Sequence, residues 1–178
     1  RALAIFDEFR ELAPVGPEGH LMIEKLADRL VSVDLLYRAD EQLGYLMGES
    51  KDEDGKIERG QPLVQGEELA RLGAKRAMVR LLNSDPEGAI EVLDGSEVFQ
   101  LSRVLEDDRR RLRAKANFEA GRVQEAIKLL AGDITDEADM LRRDIYWRGE
   151  DWTEVAKVLQ RLAGDPPEDL EAEFPEDR

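Results

Sequence analysis

The sequence predicts an all-α fold of stacked antiparallel helix pairs, and two observations carry this prediction. The first is composition: Ala, Leu, Glu, Arg and Lys dominate the 178-residue chain, which favours helix over sheet. The second is a recurring frame in which two small residues lie twelve positions apart and a leucine follows the second of them by four. Copies of this frame begin at Ala27, Ala77 and Ala114.

The frame is typical of two helices packed closely across a short turn. Small residues on neighbouring helices let the two backbones approach, and a leucine one turn later lies on the same helix face. The second small position holds Ala39, Ala89 and Ala126, and the leucine position holds Leu43, Leu93 and Leu130. A fourth copy keeps Val155 and Leu159 but has Arg143 at the first small position. Because one pair cannot bury its apolar face alone, the copies are expected to stack.

The frame also divides the chain into segments. Helix pairs are expected at about 18–47, 66–93, 106–131 and 136–163, within an array that spans residues 18–163. The remaining segments are a partial helix or cap at 1–17, a charged loop at 48–62, a short helical connector at 96–105 and an acidic, proline-containing tail at 164–178. Asp34 is expected to cap the second helix. Trp147 and Trp152 are expected to supply the packing of the last pair in place of alanine.

Charge and composition exclude several function classes. The net charge of −15 should repel nucleic acid and anionic membranes, since both require a basic surface, and it favours basic or polar partners. No apolar run approaches the roughly 20 residues needed to cross a bilayer, so this segment is not expected to insert into a membrane. The absence of cysteine excludes disulfides, thiol chemistry and cysteine-based metal sites.

Catalytic and metal-binding patterns are weak. His20 is the only histidine, and the chain shows no glycine-rich phosphate loop and no nucleophile motif, so neither an enzyme nor a cofactor is expected. Residues 50–58 resemble part of a calcium loop, with oxygen ligands at alternate positions and Gly55 at the turn. Gln61 occupies the place of the bidentate glutamate that tight calcium binding requires. The segment is therefore expected to be a solvated charged loop without a metal.

Residues 121–130 (GRVQEAIKLL) resemble the centre of a tetratricopeptide repeat, with a glycine between the helices, then Glu-Ala-Ile and a bulky residue four after the alanine. Residues 86–93 and 151–167 match more loosely. The strings LADRLVSVDLLYRADEQLGYL and RLGAKRAMVRLLNSDPEGAIEVL are similar to repeat regions of large alphaproteobacterial proteins of the cell envelope. This resemblance covers residues 18–165.

The chain departs from the family pattern in two ways. Successive frames begin 50, 37 and 29 residues apart, against a family norm of about 34. The tryptophan, glycine and tyrosine usual in the first helix of a repeat are missing from every copy. An unrelated, irregular helical array therefore stays open as the alternative fold.

The resemblance implies a TPR-like α-solenoid that acts as a scaffold and binds a peptide or protein in a concave groove. Its groove positions correspond here to Leu21, Glu24, Asp28, Val31, Arg71, Ala74, Met78, Leu81, Asp108, Arg111, Lys115, Phe118, Glu137, Met140, Asp144 and Trp147. The candidate binding residues among them are Arg71, Met78, Arg111, Lys115, Phe118, Met140 and Trp147.

Four of these candidates are expected to form a basic and aromatic patch between the third and fourth pairs: Arg111, Lys115, Phe118 and Trp147. The other interpretation is that both rings are core and that the two cations pair with Asp108 and Asp144. The alternative function is a structural spacer or a self-association module that forms a homo-oligomer. The partner's identity and the compartment, bacterial envelope or cytoplasm, stay open.

Overall fold

The structure is a computed structural model that describes residues 16–52, 54 and 56–164. Eight helices and two short strands lie in this described part. They are α1 (Pro17–Ser32), α2 (Leu36–Leu46), β1 (Glu49–Lys51), β2 (Ile57–Arg59), α3 (Glu67–Leu82), α4 (Pro86–Gly95), α5 (Arg103–Glu119), α6 (Val123–Leu130), α7 (Asp136–Arg148) and α8 (Trp152–Ala163). The expected cap at 1–17 and tail at 164–178 fall almost wholly outside the described residues.

The helices form four antiparallel pairs, which we number in chain order. Pair 1 is α1 with α2, pair 2 is α3 with α4, pair 3 is α5 with α6 and pair 4 is α7 with α8. The second helix of each pair packs against the first helix of the next pair, and first helices α3, α5 and α7 contact one another in turn. The predicted all-α fold of packed helix pairs is confirmed.

The frame residues form the core of this array. The alanines at both small positions of pairs 1 to 3 and the leucines four beyond are 0% exposed: Ala27, Ala39, Leu43, Ala77, Ala89, Leu93, Ala114, Ala126 and Leu130. Each of the three apolar clusters also contains residues of the following first helix. Leu72 and Val79 of α3 join pair 1, Ala116 of α5 joins pair 2, and Ala138 and Ile145 of α7 join pair 3. Small residues and leucines therefore pack the two helices of each pair together and also form the contact between that pair and the next first helix.

Pair 4 departs from the expectation. Val155 and Val158 are buried, whereas Leu159 is 42% exposed. Trp147 and Trp152 do not supply the packing of this pair, because each is 56% exposed; their rings contact each other, edge to face, at a centroid distance of 5.3 Å. Val155 lies one turn before Leu159 on the same face of α8, and Val158 lies about 100° around the helix from Leu159. The two valines therefore replace the expected aromatic packing.

A β-hairpin occupies part of the segment 48–62, where a charged loop was expected. Strands β1 and β2 pair antiparallel, with Glu49 opposite Arg59. The turn is closed by the Asp52 carboxylate, whose Oδ1 accepts hydrogen bonds from the backbone N–H groups of Asp54 at 3.0 Å and Lys56 at 2.7 Å. These charged strands lack the apolar alternation that predicts a sheet. Residues 53 and 55 of the calcium-like pattern lie outside the described residues.

Two further local expectations are wrong. Residues 96–102 are not helical, and α5 begins only at Arg103; Phe99 on this connector is fully exposed. The Ser96 hydroxyl donates a hydrogen bond to the Val92 carbonyl at 2.7 Å, which closes the end of α4 instead of starting a new helix. Asp34 does not cap α2, because it adopts a left-handed conformation with φ of 60° and Leu35 precedes the helix.

Candidate functional site

The first helices of the four pairs share one uncovered row of side chains. It consists of the residue directly after the first small position: Asp28, Met78, Lys115 and Asp144. We call these four residues the open row. Every member is accessible to solvent to a large extent, although the small residue beside it is buried in pairs 1 to 3. Because α1, α3, α5 and α7 are successive first helices, the open row crosses the array from pair to pair.

Between pairs 1 and 2, the expected groove residues are joined by ion pairs. Arg71 donates from its two terminal nitrogens to both oxygens of Glu24, at 2.7 and 2.6 Å, and also contacts Glu68. Lys75 donates to Glu24 at 2.8 Å and lies 2.6 Å from Asp28. The charges of α1 and α3 therefore satisfy one another across the helix contact, and Arg71 is not a free cation in the groove.

This network lowers the pKa of the Glu24 carboxyl from its ordinary value of 4.5 to about 2, chiefly through the hydrogen bonds from Arg71 and against the opposing effect of burial. A carboxyl whose pKa is depressed on folding stabilises the native state above the unfolded pKa. That stabilisation is lost as the pH falls through the folded value. For Glu24, the loss therefore lies between about pH 4.5 and about pH 2.

We expect the Glu24→Gln variant to be less stable than the parent at neutral pH and equally stable near pH 2. Urea unfolding of both proteins at a series of pH values measures the difference. Glu18→Gln is the matched control, because Glu18 lies on the same helix, is exposed and shows no such network. A stability difference for Glu24→Gln that persists unchanged down to pH 2 would refute the assigned role of the ion pair.

Between pairs 3 and 4, the predicted basic and aromatic patch is largely absent. Phe118 is buried in the core of pair 3, with the Arg148 guanidinium 4.4 Å from its ring centroid. Arg111 donates to Asp108 at 2.5 Å and to Asp133 at 3.0 Å. Phe118 is therefore a core residue, and Arg111 is already paired.

The other predicted binding residues are open to solvent. Lys115 has only a 4.0 Å contact to Glu119 on its own helix, and not the expected pair with Asp144. Met78, Met140 and Trp147 are exposed on α3 and α7. The part of the predicted site that is available to a partner is thus Met78, Lys115, Met140 and Trp147.

Asp133 anchors the loop between pairs 3 and 4. Its Oδ1 accepts hydrogen bonds from the Thr135 N–H at 3.1 Å and from the Thr135 hydroxyl at 2.6 Å, and Arg111 approaches Oδ2. Burial acts to raise the pKa of Asp133, but the bonds from Thr135 and Arg111 outweigh it and hold the pKa at about 2. The loop is therefore fixed to α5 by a carboxylate that stays ionised.

A recurring arginine was missed by the sequence analysis. It directly precedes the first small position of pairs 2, 3 and 4, at Arg76, Arg113 and Arg142. Each arginine reaches back to the preceding pair. Arg76 binds Asp40 of α2, Arg113 binds Asp94 of α4, and Arg142 binds the carbonyl oxygens of Leu130 and Asp133 after α6. The repetition of Arg at this register was the signal that could have revealed it.

Arg76 is the most deeply placed of these arginines. It donates to Asp40 at 2.8 and 3.0 Å and to Glu49 of the hairpin at 2.6 Å. Gly44 of α2 leaves the space for this cluster, because a Cβ at that position would lie 2.9 Å from both the Arg76 and the Glu49 side chains. The hairpin is thereby attached to α2 and α3 through a buried guanidinium.

A cleft of about 730 Å³ lies away from the open row, between residues 97–101 and α5. Arg109 lines it, and this buried side chain donates to the carbonyl oxygens of Ala70 and Leu93, each at 2.6 Å, and contacts Ser96 Oγ at 3.1 Å. Burial lowers the pKa of Arg109. Since its donors point at the end of α4 and at α3, Arg109 joins three helices and is not presented to a ligand.

The described residues show no arrangement of three or more His, Cys, Asp or Glu side chains that is suited to holding a metal ion. None of the described helices combines the length and the apolar character that a membrane span requires. Comparison with known proteins found no matching family model, no matching curated protein and no matching solved structure.

Proposed function

We propose that this chain is a protein–protein interaction scaffold that binds a peptide segment of another protein along its first helices. The observation that carries the proposal is the open row, which places a solvent-accessible side chain at the same register of all four first helices. A peptide that crosses these helices meets a side chain of the array at each pair, as in other helix arrays that present an extended surface.

The chemistry of this face suits a peptide with apolar anchors and mixed charge. Met78, Met140 and Trp147 supply exposed apolar surface, and methionine adapts its shape to different partners. Asp28, Lys115 and Asp144 of the open row provide charges of both signs. Such charges orient a peptide more than they add affinity.

A structural spacer without a ligand is the second candidate function, and one observation favours it. The ionic side chains around the open row are mostly paired within the array, as in the Glu24–Arg71 and Arg111–Asp108 contacts. A surface that satisfies its own charges does not need a partner to do so. The two functions differ in whether the apolar members of the face bind anything.

Selection of peptides from a random phage-displayed library against the folded chain tests the proposal. We expect selected peptides to lose about tenfold or more in affinity for Met78→Asp, since an apolar anchor contributes more than about 1 kcal/mol. Val123→Asp on α6 is the matched control, because Val123 is 39% exposed and Met78 is 40% exposed. Calorimetry of both variants, each checked for an unchanged thermal melt, gives the affinities.

Two results would oppose the scaffold function. One is a selection that yields no peptide whose binding Met78→Asp weakens. The other is a set of peptides weakened by Val123→Asp alone, which would place their binding surface on the second helices. Either result leaves the spacer as the better account of this chain.

A further inference from the structure

Pair 4 has an exposed apolar face, whereas the corresponding faces of pairs 1, 2 and 3 are covered by the next helix. At the leucine position, Leu43, Leu93 and Leu130 are fully buried, because α3, α5 and α7 pack over pairs 1, 2 and 3. Leu159 is the residue of pair 4 at the same position, and it is 42% exposed. The difference follows from position in the array, since no described helix packs over pair 4.

Two other positions of pair 4 are also more exposed than the residues at the same register of earlier pairs. Leu162 is only half-buried, whereas the residues at its register in the earlier pairs, Leu46, Ser96 and Asp133, are buried. Trp147 is exposed, whereas its counterparts Leu81 and Phe118 in pairs 2 and 3 are buried. We call Trp147, Leu159 and Leu162 the end face. It is an apolar surface at the place where the array elsewhere continues.

Three helices of the array, α3, α5 and α7, pack over the corresponding faces of pairs 1, 2 and 3 and indicate what kind of segment fits the end face. Each covering helix places a buried apolar residue two positions after its first small position: Val79, Ala116 and Ile145. Helix α3 carries four basic and two acidic residues, and α5 carries six basic and four acidic residues, so each has a net charge of +2. Helix α7 differs, with three basic and four acidic residues and a net charge of −1. A basic helix like α3 and α5 also suits the net charge of the chain, which is −15.

We propose that the end face binds a basic, amphipathic α-helix of a partner protein, in the position that α3, α5 and α7 take over the earlier pairs. This site is continuous with the stacking interfaces of the array and uses no residue of the open row. Trp147 is the one residue that it shares with the apolar surface of the proposed peptide-binding face. A second copy of the chain is a poorer occupant, because two molecules with a net charge of −15 repel each other.

Tryptophan fluorescence reports this site selectively, since Trp147 and Trp152 are the only tryptophans in the chain. The probe is residues 66–83, the α3 segment, which contain no tryptophan. Fused after residue 178, the probe is tethered through residues 165–178, which span up to about 46 Å when extended. Tethering raises its local concentration to the millimolar range, so that weak helix formation by the isolated segment does not hide binding.

In the fusion protein, we expect tryptophan emission to shift to shorter wavelength and acrylamide quenching to fall. Leu159→Asp in the same fusion should abolish both changes. Leu35→Asp is the matched control, because Leu35 is 44% exposed and lies on pair 1, and it should leave both changes intact.

Three results would overturn the proposal. The first is a fusion without either change, or changes that survive Leu159→Asp. The second is a rise in tryptophan quenching of the unfused chain when it is shortened to end at Gly164, which would assign the end face to residues 165–178. The third is a dimer in sedimentation equilibrium that Leu159→Asp dissociates, which would assign the face to a second copy of the chain.

Discussion

Arg76→Met is expected to lower the free energy of unfolding by about 3 to 5 kcal/mol, because it leaves the partly buried Glu49 carboxylate without its main partner and Asp40 with one arginine instead of two. The Arg76 side chain is 2% exposed and joins Asp40 and Glu49. Burial acts to lower its pKa, but the two carboxylates raise it above the ordinary value, so the guanidinium stays charged. Without Arg76, Glu49 keeps Arg59 at 3.6 Å. Asp40 keeps Arg80 at 2.8 Å. Urea unfolding measures the loss.

Arg103→Met is the control, since Arg103 is almost fully exposed and lies 3.9 Å from Asp107. Its cost should be about 1 kcal/mol or less. A double variant, Arg76→Met with Glu49→Gln, should recover part of the lost stability, because it removes the charge that Arg76→Met leaves without its main partner, while Asp40 keeps its second arginine. If Arg76→Met costs no more than Arg103→Met, the guanidinium does not hold the hairpin and pairs 1 and 2 together.

The second large effect concerns the stacking of one pair on the next. Leu130→Ala should lower the free energy of unfolding by about 2 to 5 kcal/mol, because it opens a cavity between pair 3 and α7. Leu159→Ala removes the same atoms at the same register of pair 4, where Leu159 is exposed. It should cost about 1 kcal/mol or less. Denaturant unfolding of the two variants side by side measures the contrast.

Equal losses for Leu130→Ala and Leu159→Ala would contradict both the stacking of α7 on pair 3 and the open state of the end face. The comparison is internally matched, since both residues follow the second small position of their pair by four. Within the described residues, a helix packs over Leu130 and none packs over Leu159.

The sequence was sufficient to predict the core of pairs 1 to 3. The small residues and leucines recur at fixed spacings, and close packing of two helices depends mostly on that local pattern. The hairpin was not predictable in this way. Its pairing joins Glu49 to Arg59 through charged strands, and its attachment depends on Arg76, which lies 27 residues from Glu49. No local periodicity carries such a contact.

The candidate site was predictable only in part, for a reason that Phe118 and Trp147 illustrate. Both are aromatic residues four positions after the first small position, yet Phe118 is buried and Trp147 is exposed. Their burial differs because α7 packs over pair 3, whereas no described helix packs over pair 4. The register of a residue indicates its helix face, but neighbouring elements decide whether that face is open.

The central claim is that each first helix covers the pair before it. Methyl NOE spectroscopy of the isotope-labelled chain tests this claim most directly. We expect cross-peaks from the Ala116 methyl group to methyl groups of pair 2, including Leu93, and from Ile145 to those of pair 3, including Leu130. Cross-peaks confined to residues within the same pair, with none linking Ala116 to pair 2 or Ile145 to pair 3, would contradict the stacked array.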